Sequence, residues 1–218
     1  MKTTVKPLSL SQVLQKPLPP HIPPRKPGIL FRSILYGLSG ADLAGTHFSY
    51  TSQGMEALAS KEPCLIFMNH SCFLDLAIAS RIFYPRAYAI VCTSDGFVGL
   101  HGFMNRLMRA IGCFPTKKFV TDLQLVRDIE YYLKTLKISV LMYPEASYSF
   151  DGTATPLPRK MGVLLKKLGV PLVMVETFGA FSRNPLYNEL QVRKSVPVTA
   201  SVRCLYTKEQ IKALSVQE

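Results

Sequence analysis

The segment Cys64-Leu65-Ile66-Phe67-Met68-Asn69-His70-Ser71-Cys72-Phe73-Leu74-Asp75 decides the fold. Its first five residues form a short, unbroken apolar run, the pattern of a strand buried on both faces. Such a strand belongs to a sheet covered by helices on each side, because a sheet with one wet face alternates apolar and polar residues. The run passes straight into Asn69-His70-Ser71, where Ser71 suits a helix N-terminus. Phe73, Leu76, Ala77 and Ser80 then recur at helical spacing up to the break at Pro85.

Outward from this segment the alternation repeats. Ala87 to Cys92 reads as a second buried strand, and Phe103 to Ile111 as a helix stopped by Gly112. Val120 to Lys137 is the best-marked helix, with Thr121 and Gln124 as a capping box and Leu123, Val126, Ile129, Leu133 and Leu136 along one face. Ile138 to Met142 is the next strand. Pro158 opens a helix over Arg159 to Leu168 that Gly169 closes, and Val170 to Val175 is a strand again. Val196, Val198, Ala200, Val202 and Cys204 alternate with polar neighbours, as in a half-exposed strand. Thr207 and Gln210 open a last helix with a second capping box, and the chain stops soon after, which suggests truncation of a longer C-terminus. The alternation predicts a single α/β domain with a mixed, largely parallel sheet flanked by helices. In such folds sites gather at the carboxyl ends of the strands.

Ahead of the alternation, Ile29 to Leu38 reads as a short apolar helix ending near Gly40. Residues 1–28 hold six prolines between Lys6 and Lys26, five positive charges and no acid, so they form an extended basic arm. Two readings of the arm stand level: a tail seeking anionic lipid or nucleic acid, and a linker strapped along the domain.

The whole chain of 218 residues carries a formal net charge of +12 with 48% apolar residues. The apolar content excludes intrinsic disorder, and the charge favours anionic partners. A membrane-crossing helix needs about 18 uncharged apolar residues, and the best run, Ile29 to Leu38, is shorter and contains Arg32. No compact apolar stretch follows the first lysines, so a secretory signal is not expected. Five scattered cysteines without a C-x-x-C pair read as buried or idle thiols in a reducing compartment.

Three polar clusters carry the chemistry. In the first, His70 precedes Asp75 by five positions, which on one regular helix would set them about 140° apart. They meet only if His70 lies in the turn before the helix and folds back over its start. Asp75 would then fix the imidazole tautomer and stabilise the cation formed when His70 takes a proton from a hydroxyl. The second cluster, Gly112 to Lys118, reads as a loop ending in Lys117 and Lys118, a point-charge site for phosphate or a solvated turn. The third, Tyr143-Pro144-Glu145-Ala146-Ser147-Tyr148-Ser149, follows a strand that Pro144 stops.

In this order the clusters resemble the glycerolipid acyltransferases of the lysophosphatidic acid type. Asn69-His70 to Asp75 matches that family's Asn-His-x4-Asp motif, and Phe114 to Lys117 loosely matches its second motif, with lysine for arginine. Tyr143 to Ser149 matches Phe-Pro-Glu-Gly-Thr-Arg-Ser at Pro144, Glu145 and Ser149, with Ser147 for threonine. Gly169-Val170-Pro171-Leu172-Val173 matches a final apolar strand with proline, so the resemblance spans roughly residues 47 to 205. It implies an acyltransferase-like domain over residues 29–218 that moves an acyl group from acyl-CoA or acyl carrier protein to a lysophospholipid such as 1-acylglycerol-3-phosphate.

On that resemblance His70 and Asp75 are the catalytic residues, and Asn69, Lys117, Lys118, Glu145, Ser147 and Tyr148 bind substrate. No metal or cofactor beyond the acyl donor is implied, and no nucleic acid. The enzyme would sit peripherally on the cytoplasmic face of an anionic membrane, held by the basic arm and Ile29 to Leu38. Two departures bear on the acceptor: Ala146 stands where the family has glycine, and Tyr148 where it has arginine. The rival readings are a non-catalytic lipid-binding relative and a basic nucleic-acid-binding protein. The second lacks aromatics interleaved with Lys and Arg on a recognisable reader motif.

Overall fold

The apolar runs lie side by side in one sheet in the computed structural model, which describes residues 9, 11, 21–54, 61–93, 103–116, 122–158, 161–183, 193 and 195–215. The strands are β1 (Ser49–Gln53), β2 (Leu65–Met68), β3 (Tyr88–Thr93), β4 (Cys113–Thr116), β5 (Ser139–Met142), β6 (Leu172–Phe178) and β7 (Thr199–Tyr206). The helices are α1 (Ile29–Asp42), α2 (Asp75–Phe83), α3 (Phe103–Ala110), α4 (Leu123–Lys134), α5 (Met161–Leu168), α6 (Ala180–Arg183) and α7 (Lys208–Ala213). Strand order is β1-β7-β6-β2-β5-β3-β4. β6, β2, β5, β3 and β4 are mutually parallel, and β7 turns antiparallel to β6 with β1 parallel to β7. The sheet is thus mixed and largely parallel, as the sequence predicts.

The period of two divides each central strand between two cores. Ile66 and Met68 of β2 join Ala77, Ile78 and Phe83 of α2 on one face. Leu65 and Phe67 join Ile129, Tyr132 and Leu133 of α4, Leu168 of α5 and Ile211 of α7 on the other. Helices on both faces are why β2 reads as a continuous apolar run and β5 is buried along its whole length. Burying each such side chain contributes about 1.5–3 kcal/mol.

Several sequence expectations shift. Gly112 to Lys118 was expected as a loop, yet Cys113–Thr116 is strand β4. It is the outer strand beyond β3, so Pro115 needs no ladder partner on its solvent side. α4 is capped by Asp122, whose side chain accepts from the Leu125 amide at 3.0 Å, rather than starting at a Thr121 box. Its buried face runs through Ile129, Tyr132 and Leu133 with Leu125 and Leu136 packed alongside, leaving Leu123 64% exposed. β1 carries no apolar signature in Ser-Tyr-Thr-Ser-Gln, because it is exposed along its whole length. The Thr207–Gln210 capping box is present in both directions. Residues 21–28 run beside α4, with His21 Nε2 3.1 Å from Asp128 Oδ1 and Pro27 buried.

Candidate active site

Paired strands β2 and β5 set Phe67 opposite Met142, and carrying that register past their ends sets His70 opposite Glu145. The two loops clasp there. The His70 amide donates to Glu145 Oε1 at 3.3 Å, and its carbonyl accepts from the Ser149 amide at 2.7 Å. Glu145 Oε2 accepts from the Thr155 amide at 3.2 Å, and Ser149 Oγ donates to the Thr153 carbonyl at 2.9 Å. Ala146 turns this loop with φ of 57°, the left-handed region that favours glycine. The backbone conformation accounts for the glycine of the resembling motif and is retained here without one.

His70 precedes α2 and folds back over its first residue, the arrangement that the spacing demands. Its Nδ1 lies 2.9 Å from Asp75 Oδ2, which also accepts from the amides of Ser71 (2.8 Å) and Cys72 (3.1 Å). Asp75 is 1% exposed, and its Oδ1 has no hydrogen-bond partner among the described residues. Burial raises the Asp75 carboxyl above its ordinary range, while the His70 ring and the two amides pull the other way. Accepting from Nδ1–H, the carboxylate leaves Nε2 as the basic nitrogen.

The imidazole lies between two tyrosines. Tyr143 stacks on it with ring centroids 3.9 Å apart and planes at 16°, and Tyr148 with centroids at 3.7 Å and planes at 30°. Phe73 meets Tyr148 edge-on at 5.3 Å. Burial pushes the Tyr143 phenol well up, so it stays protonated and neutral.

His70 lines a cavity of about 700 Å³, within the range of small-molecule sites. Leu76, Ile90, Val91, Met108, Leu125 and Met142 give it apolar walls, and Glu145, Ser147 and Tyr148 line it as well. Asn69 and Ser71, on either side of His70, instead line a second cavity of about 640 Å³ with Thr177, Asp151, Arg193 and Phe181. The Asn69 amide is engaged with the protein: Nδ2 donates to Ser71 Oγ (3.0 Å) and the Thr177 carbonyl (3.1 Å), and Oδ1 accepts from the Thr177 amide (2.7 Å). Asn69 therefore fastens the loop to β6. Lys117 and Lys118 lie outside the described residues.

Sequence reasoning missed Tyr143 and Thr177. Tyr143 heads the third cluster directly after β5, and its place beside Pro144 was the available signal. Thr177 is the penultimate residue of β6, with no local pattern to mark it. All five cysteines are free thiols, and burial lifts Cys72 to about 12 and Cys64 to about 11, which disfavours the reactive thiolate. Among the described residues no helix is long and apolar enough to cross a membrane, and no group of side chains could hold a metal ion.

A model of the acyltransferase family, described as Acyltransferase, matches residues 49–175, more than half of the chain. The chain belongs to the acyltransferase family. Among solved structures, this acyltransferase is similar to the crystal structure of the 1-acyl-sn-glycerophosphate (LPA) acyltransferase PlsC from Thermotoga maritima. The match has a TM-score of 0.57 at 14% identity, over 84% of this chain and 74% of that one. The likeness shows that the two share a fold. No curated protein matches the chain. The acyltransferase match contains the His70 and Glu145 loops with the strands that carry them, and stops at Val175 within β6.

Proposed function

We propose that this acyltransferase moves a fatty acyl group from acyl-CoA or acyl carrier protein to the hydroxyl of a lysophospholipid such as 1-acylglycerol-3-phosphate. The observation that carries the reading is the His70–Asp75 pair, 2.9 Å apart, on the wall of an apolar cavity of about 700 Å³. His70 Nε2 takes the acceptor hydroxyl proton as the oxygen attacks the thioester carbonyl. The tetrahedral adduct collapses, the carbon–sulfur bond breaks, and the imidazolium returns the proton to the departing thiolate. A positioned base of this kind supplies about 10²–10⁴ in rate. Asp75 holds the tautomer and balances the transient cation.

The apolar walls suit the acyl chain. Glu145, whose oxygens each have room for a second hydrogen bond, orients the glycerol end, with Ser147 and Tyr148 beside it. Lys117 and Lys118 follow Thr116, which lines the cavity, and supply charge for the acceptor phosphate. Asn69 acts through the loop it fastens.

Attachment is peripheral, on the cytoplasmic face of an anionic membrane. α1 supports this with Leu30, Ile34 and Leu38 at successive helical turns, 66%, 48% and 59% exposed, behind exposed Arg25 and Lys26. Nucleic acid is not among the proposed partners.

The test is thiol release from acyl-CoA in the presence of liposomes, with a panel of lysophospholipids against no acceptor, repeated with acyl carrier protein. Acceptor-dependent release supports the reading. Absence of release with either donor, from protein shown to be folded, overturns it.

A further inference from the structure

Both faces of the His70 ring are covered. Tyr143 lies at 3.9 Å on one side and Tyr148 at 3.7 Å on the other, while Nδ1 is taken by Asp75. The edge bearing Nε2 is what remains for a hydroxyl. An imidazole held by one hydrogen bond can still swing about χ1 and χ2, and each swing carries Nε2 away from the attacking oxygen. Two flanking rings remove that freedom, and displacement costs heavily where the reacting geometry is narrow. The rings also present their negative π faces to a group that becomes a cation only during the reaction, so they favour the transition state over the resting one.

We propose that Tyr143 and Tyr148 form an aromatic clamp that positions His70 and stabilises its imidazolium, with Tyr148 acting through its ring face rather than its hydroxyl. The inference rests on His70 serving as the base. It gives the tyrosine that replaces a basic residue in the resembling motif a role of its own. Tyr143 follows directly on β5 and packs against the core, and Tyr148, also partly buried, is steadied by the edge of Phe73.

The full-length protein tests this through two readouts. In acyl transfer, Tyr148→Leu should lower kcat by about 2- to 30-fold, the span of cation–π contributions. Tyr148→Phe should recover most of kcat. In proton NMR, the imidazole signals of His70, assigned among the four histidines with His70→Gln, should be displaced upfield by the ring currents of the stacked tyrosines. Tyr148→Leu should return them partway and Tyr148→Phe should not. Phenylalanine as damaging as leucine would place the function in the hydroxyl and overturn the clamp. Unshifted His70 signals in the native protein would overturn it too. If the native protein shows no transfer at all, the acyl-transfer reading has failed, and the NMR arm still decides whether the clamp exists.

Discussion

The side chain of Asn69 pairs with the backbone of Thr177 in both directions, Nδ2 donating to the carbonyl at 3.1 Å and Oδ1 accepting from the amide at 2.7 Å. An amide side chain here imitates a strand neighbour, extending the β2–β6 ladder beyond the point where the backbones part.

Asn69→Leu leaves the Thr177 amide without its acceptor and should destabilise the protein by about 1–3 kcal/mol. Asn69→Asp should be no better, since a carboxylate cannot donate to the Thr177 carbonyl. Denaturant unfolding measures both, and a wild-type midpoint for either variant would count against the bridge.

Asp75→Asn separates stability from catalysis. An asparagine oxygen in the Oδ2 position still accepts from Ser71, Cys72 and His70, and its amide takes the place of an oxygen that has no partner among the described residues. Burial raises the native carboxyl above the unfolded value of 3.8, so the folded state holds its proton more tightly. Wild-type stability from this group is fully present below that value and is lost as pH rises through the folded one. Melting across pH 4–7 should therefore show wild type losing ground to Asp75→Asn. Activity should fall about 10²–10⁴-fold, because a neutral amide does not balance the imidazolium.

Ala146→Gly should stabilise the protein by about 1 kcal/mol, since φ of 57° is strained for any residue with a Cβ. Ala146→Val should cost more than that, and thermal melting distinguishes the two. Equal melting temperatures for all three proteins would mean that the loop relaxes around the side chain.

Met108→Trp fills part of the apolar cavity from α3 and should shift the preferred donor to shorter chains. Each methylene excluded removes about 0.8 kcal/mol, close to fourfold in kcat/KM for the longest donors. Rates measured over a series of acyl-CoA lengths check it, and an unchanged profile would place the acyl chain elsewhere.

Much of the fold was legible because buried parallel strands announce themselves. Leu65 to Met68 and Val140 to Met142 are apolar without interruption, and their helices carry periodic faces. β1 was silent because an exposed edge strand needs no apolar residue, and β4 was masked by Pro115. The His70–Asp75 contact could be read from spacing, since only a fold-back brings those positions together. Tyr143, Tyr148 and Thr177 could not be placed on His70 and Asn69 from the chain alone. Those contacts depend on strand order, and nothing local states that β2 lies between β5 and β6.

That strand order also sets when the site comes into being. The His70 amide waits for a carboxylate 75 positions further along, and Asn69 for a backbone 108 positions along. Closing such long loops costs chain entropy before any contact rewards it. A chain emerging from the ribosome thus carries its histidine and aspartate early, as an ordinary turn and helix start. It acquires the clasp with Glu145 only after the fifth strand, and the fastening to Thr177 only after the sixth, has been made and docked. Competence for acyl transfer should accordingly be among the last properties to return when the denatured protein is refolded, arriving with the central sheet rather than with the helices.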